Sequence, residues 1–112
     1  MKIVIVIPAY NEEAAVGQVL RRIPRRELAR RFGAQVEVLV VDDGSTDQTA
    51  AVAAAHGADY VLGHETNRGL GAAVRSGLTW AREQGADYAV YLDADNEYPA
   101  DEIPELLTPL IS

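Results

Sequence analysis

Three carboxylates fall within five residues near the end of the sequence: Asp93, Asp95 and Glu97, in the run YAVYLDADNEYP (88–99). An extended chain rises about 3.3 Å per residue and turns successive side chains to opposite faces, so these acids share one side while the chain stays extended. Like charges that close raise one another's pKa unless a cation joins them. An all-oxygen ligand set suits a hard ion such as Mg2+ or Mn2+, which completes its shell with water and substrate phosphate. A bare D-x-D is more often an acidic turn after a strand. What lifts this one above that reading is the company it keeps at the ends of two earlier strands, where residues 8–11 (PAYN) and 42–45 (DDGS) form further polar clusters.

The surrounding elements must bring those clusters together. Residues 2–7 (KIVIVI) and 36–41 (VEVLVV) are apolar, β-branched runs of the kind buried on both faces in parallel sheets. Residues 59–62 and 88–92 read as two further strands. Between them lie helical patterns. Asn11 stands as N-cap of a helix starting at Glu12, with Val16, Val19, Leu20 and Ile23 on one face. A short basic helix follows at 25–32, its arginines solvated. Ser45 and Gln48 match a capping box for a helix through Ala55, closed by Gly57. Residues 71–84 form a long helix with Val74, Leu78 and Ala81 inward, and 101–111 a final helix with Pro104 in its first turn. Helix-bearing crossovers imply parallel strands and right-handed connections. Ligands of such sheets bind beyond the carboxyl ends of the strands, where strand order reverses.

Composition narrows the function. The 112 residues fit one domain, and a hydrophobic content of 48% supplies a core. A formal net charge of −7 argues against a nucleic-acid partner, which needs a basic surface. The absence of cysteine removes disulfides, thiol nucleophiles and zinc-thiolate sites. Neither a transmembrane run nor a signal core is seen. His56 and His64 are not spaced as a metal pair and read as one surface and one loop histidine, and Trp80 as core or helix surface. A nucleotidyltransferase would show a Gly-rich, basic loop after the first strand, whereas PAYNEE is acidic.

Four segments, VIPAYNEE (6–13), VVDDGSTDQT (40–49), NRGLGAAVRSG (67–77) and LDADNEYP (92–99), together resemble the family-2 glycosyltransferases in order and spacing. Within that family the pattern is similar to the polyprenyl-phosphate sugar transferases, such as the dolichyl-phosphate mannose synthases. The resemblance implies the nucleotide-sugar-binding half of a GT-A fold over residues 1–112. That is an α/β, Rossmann-like three-layer sandwich with a parallel four-stranded sheet in the order 3-2-1-4. It implies an inverting hexosyltransferase that uses a GDP- or UDP-sugar, needs Mg2+ or Mn2+, and acts on an acceptor such as a polyprenyl phosphate. The expected setting is cytoplasmic, peripheral at the inner face of the membrane.

The resemblance also implies residue roles. Pro8, Ala9 and Tyr10 would line the base and ribose pocket, Glu12 would touch the nucleotide side, and Asp42 would lie against the base. Asp43 is given a turn role, bonding its own backbone. Gly69 and Gly71 permit tight backbone at a helix start, with Gly71 beside the nucleotide and Arg75 reaching the diphosphate. Leu70 stands where many relatives carry Lys, so any phosphate role of that position is lost. Asp93 and Ala94 would complete the nucleotide contacts, and Asp93, Asp95 and Glu97 the metal set. The acceptor half and its catalytic base normally follow the D-x-D segment, so the catalytic residues are expected outside this chain. The competing expectation is a non-catalytic nucleotide-sugar binding module or a truncated, inactive fragment. An open strand at 88–92 would invite self-association unless the last helix shields it.

Overall fold

The computed structural model describes residues 1–111. Four strands, β1 (Lys2–Ala9), β2 (Gln35–Asp42), β3 (Tyr60–Gly63) and β4 (Tyr88–Tyr91), form one parallel sheet in the order β3-β2-β1-β4. Five helices connect or follow them: α1 (Val16–Arg22), α2 (Arg25–Phe32), α3 (Thr49–Ala55), α4 (Leu70–Glu83) and α5 (Ile103–Ile111), the last entered through a 3-10 turn at Ala100–Glu102.

The alternation of side chains along the strands divides the core into two layers. Ile3, Ile5, Ile7, Val38 and Val40 face α1, α2, α3 and α5, with Val16, Leu28, Ala53, Ile103 and Leu107 among their partners. Val4, Val6, Leu39 and Val41 face the other way, onto Ala73 and Ala81 of α4. Chain handedness accounts for this division. The path β1→β2→β3 steps one way across the sheet, and β3→β4 steps back past both earlier strands. Right-handed crossovers in opposite directions must run on opposite faces, so among the described helices α4 lies alone on its side. The step reverses between β1 and β4, which places a crevice above their carboxyl ends.

Local details depart from the sequence reading. Asn11 does not cap a helix at Glu12. It sits at φ 52°, its N–H bonds Ser45 Oγ (2.9 Å) and its Oδ1 accepts from Thr46 N (2.8 Å). The helix begins only at Val16, after a turn closed on the Glu12 carbonyl. Ser45 and Gln48 likewise form no capping box, and α3 starts at Thr49, where Asp47 Oδ1 accepts the Thr49 N–H (2.9 Å). Glu12 N–H returns to Thr49 Oγ1 (2.8 Å) and Gln48 N–H to Glu13 Oε2 (3.2 Å). Bonds between the two loops thus replace local caps, because both loops stand side by side at the ends of paired strands. In α4 the inward residues are Ala73, Gly77 and Ala81, while Leu78 is exposed. Trp80 is half-buried and its ring lies 5.4 Å from that of Tyr60.

Candidate nucleotide-sugar site

The crevice between β1 and β4 holds a cavity of about 260 Å³. That is slightly below the usual range for an enclosing ligand pocket, so it forms one wall of a cleft. Pro8, Ala9, Tyr10 and Glu12 line it from the end of β1, and Asp93, Ala94 and Asp95 from the end of β4. All seven are residues that the sequence singles out. Asp43, Asn67, Gly69, Leu70 and Ala73 complete the wall.

The turn bond expected of Asp43 is made by Asp42, and Asp43 rather than Asp42 lines the cavity. Asp42 still belongs to β2, paired in register with Ala9, and its Oδ1 accepts the Ser45 N–H (3.1 Å) in the turn expected of Asp43. Asp43 is 3% exposed and accepts three bonds: His64 Nδ1 (2.7 Å) and Arg68 N (2.9 Å) on Oδ1, and Gly69 N (2.9 Å) on Oδ2. Burial alone would raise its pKa, but the bonds from His64, Arg68 and Gly69 outweigh it and hold the carboxyl below its ordinary value of 3.8. Asp42 is not on the cavity wall and Asp43 is. His64 is no plain loop residue: its side chain is 6% exposed, and its Nε2 meets Ser76 Oγ at 2.8 Å. Asp-Asp at a strand end offers no local sign of which acid turns inward, and His64 lies 21 residues from Asp43.

Gly71 and Arg75 also fall outside the cavity. Arg75 lines a separate groove on the outer side of α4, with Arg68, Ser76 and Trp80. Gly69, Leu70 and Ala73 are the α4-end residues on the cavity wall, and Arg75 is not among them.

The acidic run does not stay extended. Asn96 adopts φ 63° and Asp95 Oδ1 accepts the Glu97 N–H (3.1 Å), so the chain turns between the second and third acids. Glu97 consequently does not line the cavity, and among the described residues no group of three or more His, Cys, Asp or Glu is placed to hold a metal ion. Of the three carboxylates expected to form the metal set, Asp93 and Asp95 line the cavity and Glu97 does not. Arg22 fastens the turn, donating to Asn96 Oδ1 (2.8 Å) and to Asp101 Oδ1 (2.8 Å), while Asn96 Nδ2 donates to Gln18 Oε1 (3.2 Å). Tyr91 Oη donates to Asp93 Oδ1 (3.1 Å). Burial and this bond to the neighbouring carboxylate push the Tyr91 phenol up.

The electrostatics of the cavity favour a cation. Glu12 is pushed up, first by burial and then by repulsion from Asp95, Asp47, Asp93 and Glu97. Two exposed carboxylates beside a third that resists ionising form a hard-oxygen donor set, one that a divalent ion shared with a diphosphate would satisfy. The residues present therefore fit such an ion, and Asp93 and Asp95 are the carboxylates that would hold it.

The model for Glycosyl transferase family 2 matches residues 4–112. The chain belongs to that family, and its sheet order is that of a GT-A fold. It is 35% identical over 111 residues to an undecaprenyl-phosphate mannosyltransferase of Micrococcus luteus, covering 96% of this chain and 43% of that protein. It is 30% identical over 126 residues to a UDP-N-acetylglucosamine–dolichyl-phosphate N-acetylglucosaminyltransferase of Methanococcus voltae, covering 98% and 47%. Among solved structures, mannosyl-3-phosphoglycerate synthase from Rubrobacter xylanophilus superposes with a TM-score of 0.78 at 29% identity, over 100% of this chain and 36% of that one. Glucosyl-3-phosphoglycerate synthase from Mycobacterium tuberculosis, in complex with Mn2+, UDP and glucosyl-3-phosphoglycerate, superposes with a TM-score of 0.70 at 31% identity, over 99% and 40%. The chain thus spans less than half the length of these relatives.

Proposed function

We propose that this chain is the donor-binding half of an inverting glycosyltransferase that takes a hexose from a nucleoside diphosphate sugar. The observation that carries this reading is the convergence, on one cavity at the sheet's reversal point, of the ends of β1 and β4, Asp43 after β2, and the start of α4. Pro8, Ala9 and Tyr10 offer an apolar and aromatic wall to a base and ribose, and Asp43 retains an unshared acceptor position on Oδ2 for a base N–H. Asp93 and Asp95 would hold Mg2+ or Mn2+, which when bound neutralises charge growing on the leaving diphosphate. Support for the metal comes from the glucosyl-3-phosphoglycerate synthase complex with Mn2+ and UDP.

The M. luteus relative is named for transfer to undecaprenyl phosphate, which supports a lipid phosphate as acceptor here. Such an acceptor is already anionic and asks little of a general base. A peripheral position at the inner membrane face suits it. No described helix is long and apolar enough to cross a membrane.

Calorimetric titration of UDP and of GDP, each with and without Mn2+, tests the donor site. Metal-dependent binding of one nucleotide is expected, which also identifies the base. Asp95→Ala is expected to abolish the metal dependence. Binding of neither nucleotide, or metal-dependent binding that survives Asp95→Ala, would count against the reading.

We also infer self-association along β4. Among the described residues that strand pairs with β1 alone. α5 lies against its face, where Tyr88 Oη donates to the Leu110 carbonyl (3.3 Å). An apolar groove lined by Val90, Tyr91, Tyr98 and Leu106 runs beside it, with Tyr91 44% and Leu106 49% exposed. An open edge of this kind recruits another strand. Light scattering should show a mass rising above 12.1 kDa with concentration, and a constant monomer mass would refute it.

A further inference from the structure

We infer that His64 is a positioning residue of the donor pocket, acting through Asp43 on the backbone that leads into α4; this rests on the donor-site reading above. The ring sits between two anchors, Asp43 Oδ1 at 2.7 Å from Nδ1 and Ser76 Oγ at 2.8 Å from Nε2. The carboxylate selects the tautomer with the proton on Nδ1, and Nε2 then accepts the Ser76 hydroxyl, an assignment that follows from the bonding network. Asp43 and His64 side chains are only 5% and 6% exposed. In so dry a setting each bond in the chain strengthens the next, and a missing member is costly.

The output of the chain lies at the cavity. Asp43 and Gly69 both form its wall, whereas His64 and Ser76 do not. Asp43 holds the Arg68 and Gly69 amides, and Gly69, at φ 97°, is the N-cap residue where the loop turns into α4. The same two loops touch at Gly44, where a Cβ would stand 2.5 Å from Asn67 N and from Thr66 C. With the loops in such close contact, a small rotation of Asp43 has nowhere to go except through the 66–69 backbone. His64 sets that rotation, and Ser76, in the second turn of α4, refers it to the body of the helix.

Asp, His and Ser in a row also describe a hydrolytic triad. The backbone argues against that use. Ser76 stands inside the fourteen-residue α4, whose amides at that depth are engaged along the helix, so no pair of free N–H groups faces its hydroxyl as an oxyanion hole would require. Asp43 is moreover committed to two backbone amides.

Two readouts on the 112-residue chain separate this inference from the donor reading: amide hydrogen exchange at Arg68 and Gly69 without ligand, and titration with UDP and GDP in the presence of Mn2+. His64→Ala should accelerate exchange at both amides and weaken nucleotide binding about tenfold, the scale of one charge-assisted hydrogen bond. His64→Asn, whose side-chain N–H falls near the Nδ1 position, should recover most of both, which a merely space-filling role would not produce. Should His64→Ala fail to fold, Ser76→Ala must still accelerate the same two amides. Unchanged exchange in these variants overturns the inference, as does faster exchange with unchanged nucleotide affinity. If the unaltered chain binds neither nucleotide, the donor reading falls and the pocket role falls with it, while the exchange data still decide whether His64 fixes the loop.

Discussion

Gly77→Ala is expected to destabilise the chain by about 2 kcal/mol, although alanine is the better helix former. The intrinsic gain on replacing a mid-helix glycine is about 1 kcal/mol. Against it stands a Cβ placed 2.2 Å from Val6 Cγ1 and 3.3 Å from Val41 Cγ2. Val6 is fully buried on a strand paired on both sides, and a β-branched side chain has one easy rotamer, so neither backbone nor side chain can recede. Forcing a methyl into such a core costs typically 1–3 kcal/mol and occasionally more; an overlap this deep belongs at the upper end and outweighs the helical gain. Among the described residues α4 is the only helix on its face, so lifting it would also loosen Ala73 and Ala81. Urea denaturation checks the expectation, with a lower midpoint at unchanged slope. Adding Val6→Ala supplies the room, and the double variant should be more stable than the sum of the two single losses by roughly 1 kcal/mol or more. A Gly77→Ala chain as stable as the original would mean that α4 does not approach the sheet this closely.

The same close approach explains what was and was not legible in the sequence. The two central strands announced themselves as β-branched runs bounded by turn residues, the outer two as short apolar stretches, and each connection carried a helical pattern. The sheet order followed from the family resemblance. The inner face of α4 was misread because periodicity arguments look for bulky residues, and Leu78 is the bulky one. The interface is instead built from Ala73, Gly77 and Ala81, since only small side chains allow this separation. The helix caps failed for a related reason. Asn11, Ser45 and Asp47 each have the chemistry of a cap, but the paired ends of β1 and β2 bring two loops together, and bonds spanning 34 and 35 residues outcompete two of the three local caps.

The cavity was legible where it is made by chain ends of strands, at Pro8–Tyr10 and at Asp93–Asp95. It was not where it depends on which way one residue turns. Asp42 and Asp43 differ by one step of the pleat. Asp42 remains in register opposite Ala9, and the Asp43 N–H then closes on the Ala9 carbonyl (2.8 Å), which fixes Asp43 as the residue that turns toward the 66–69 loop. No local pattern states where the ladder ends. Glu97 falls outside the cavity for a similar reason, because the turn at Asn96 is held by Arg22 and Gln18, more than 70 residues earlier.

The inequality of the two aspartates yields the second large effect. Asp43→Ala is expected to cost about 3 kcal/mol or more, and Asp42→Ala about 1 kcal/mol. Removing the Asp43 carboxylate leaves three donors without their acceptor at once, from His64, Arg68 and Gly69, in part-buried bonds, whereas Asp42 is half-buried and holds the single Ser45 amide at 3.1 Å. The pH dependence separates charge from shape. The folded-state pKa of Asp43 lies below its ordinary value of 3.8, so the folded chain binds this proton more weakly than the unfolded chain. Its contribution is therefore complete above the unfolded value and is lost as pH falls through the depressed folded one. Asp43→Asn preserves the shape but carries no titrating group and sets an amide N–H against one of the backbone donors. Its deficit relative to the original chain should be about 2 kcal/mol at pH 7 and should shrink steadily below pH 4. Glu12, shifted upward, titrates alike in both chains and drops out of the difference. Urea midpoints of the two chains at pH 7, 4 and 3 measure it. A deficit that stays constant across that range would show that Asp43 holds the loop by shape alone and that its charge contributes nothing.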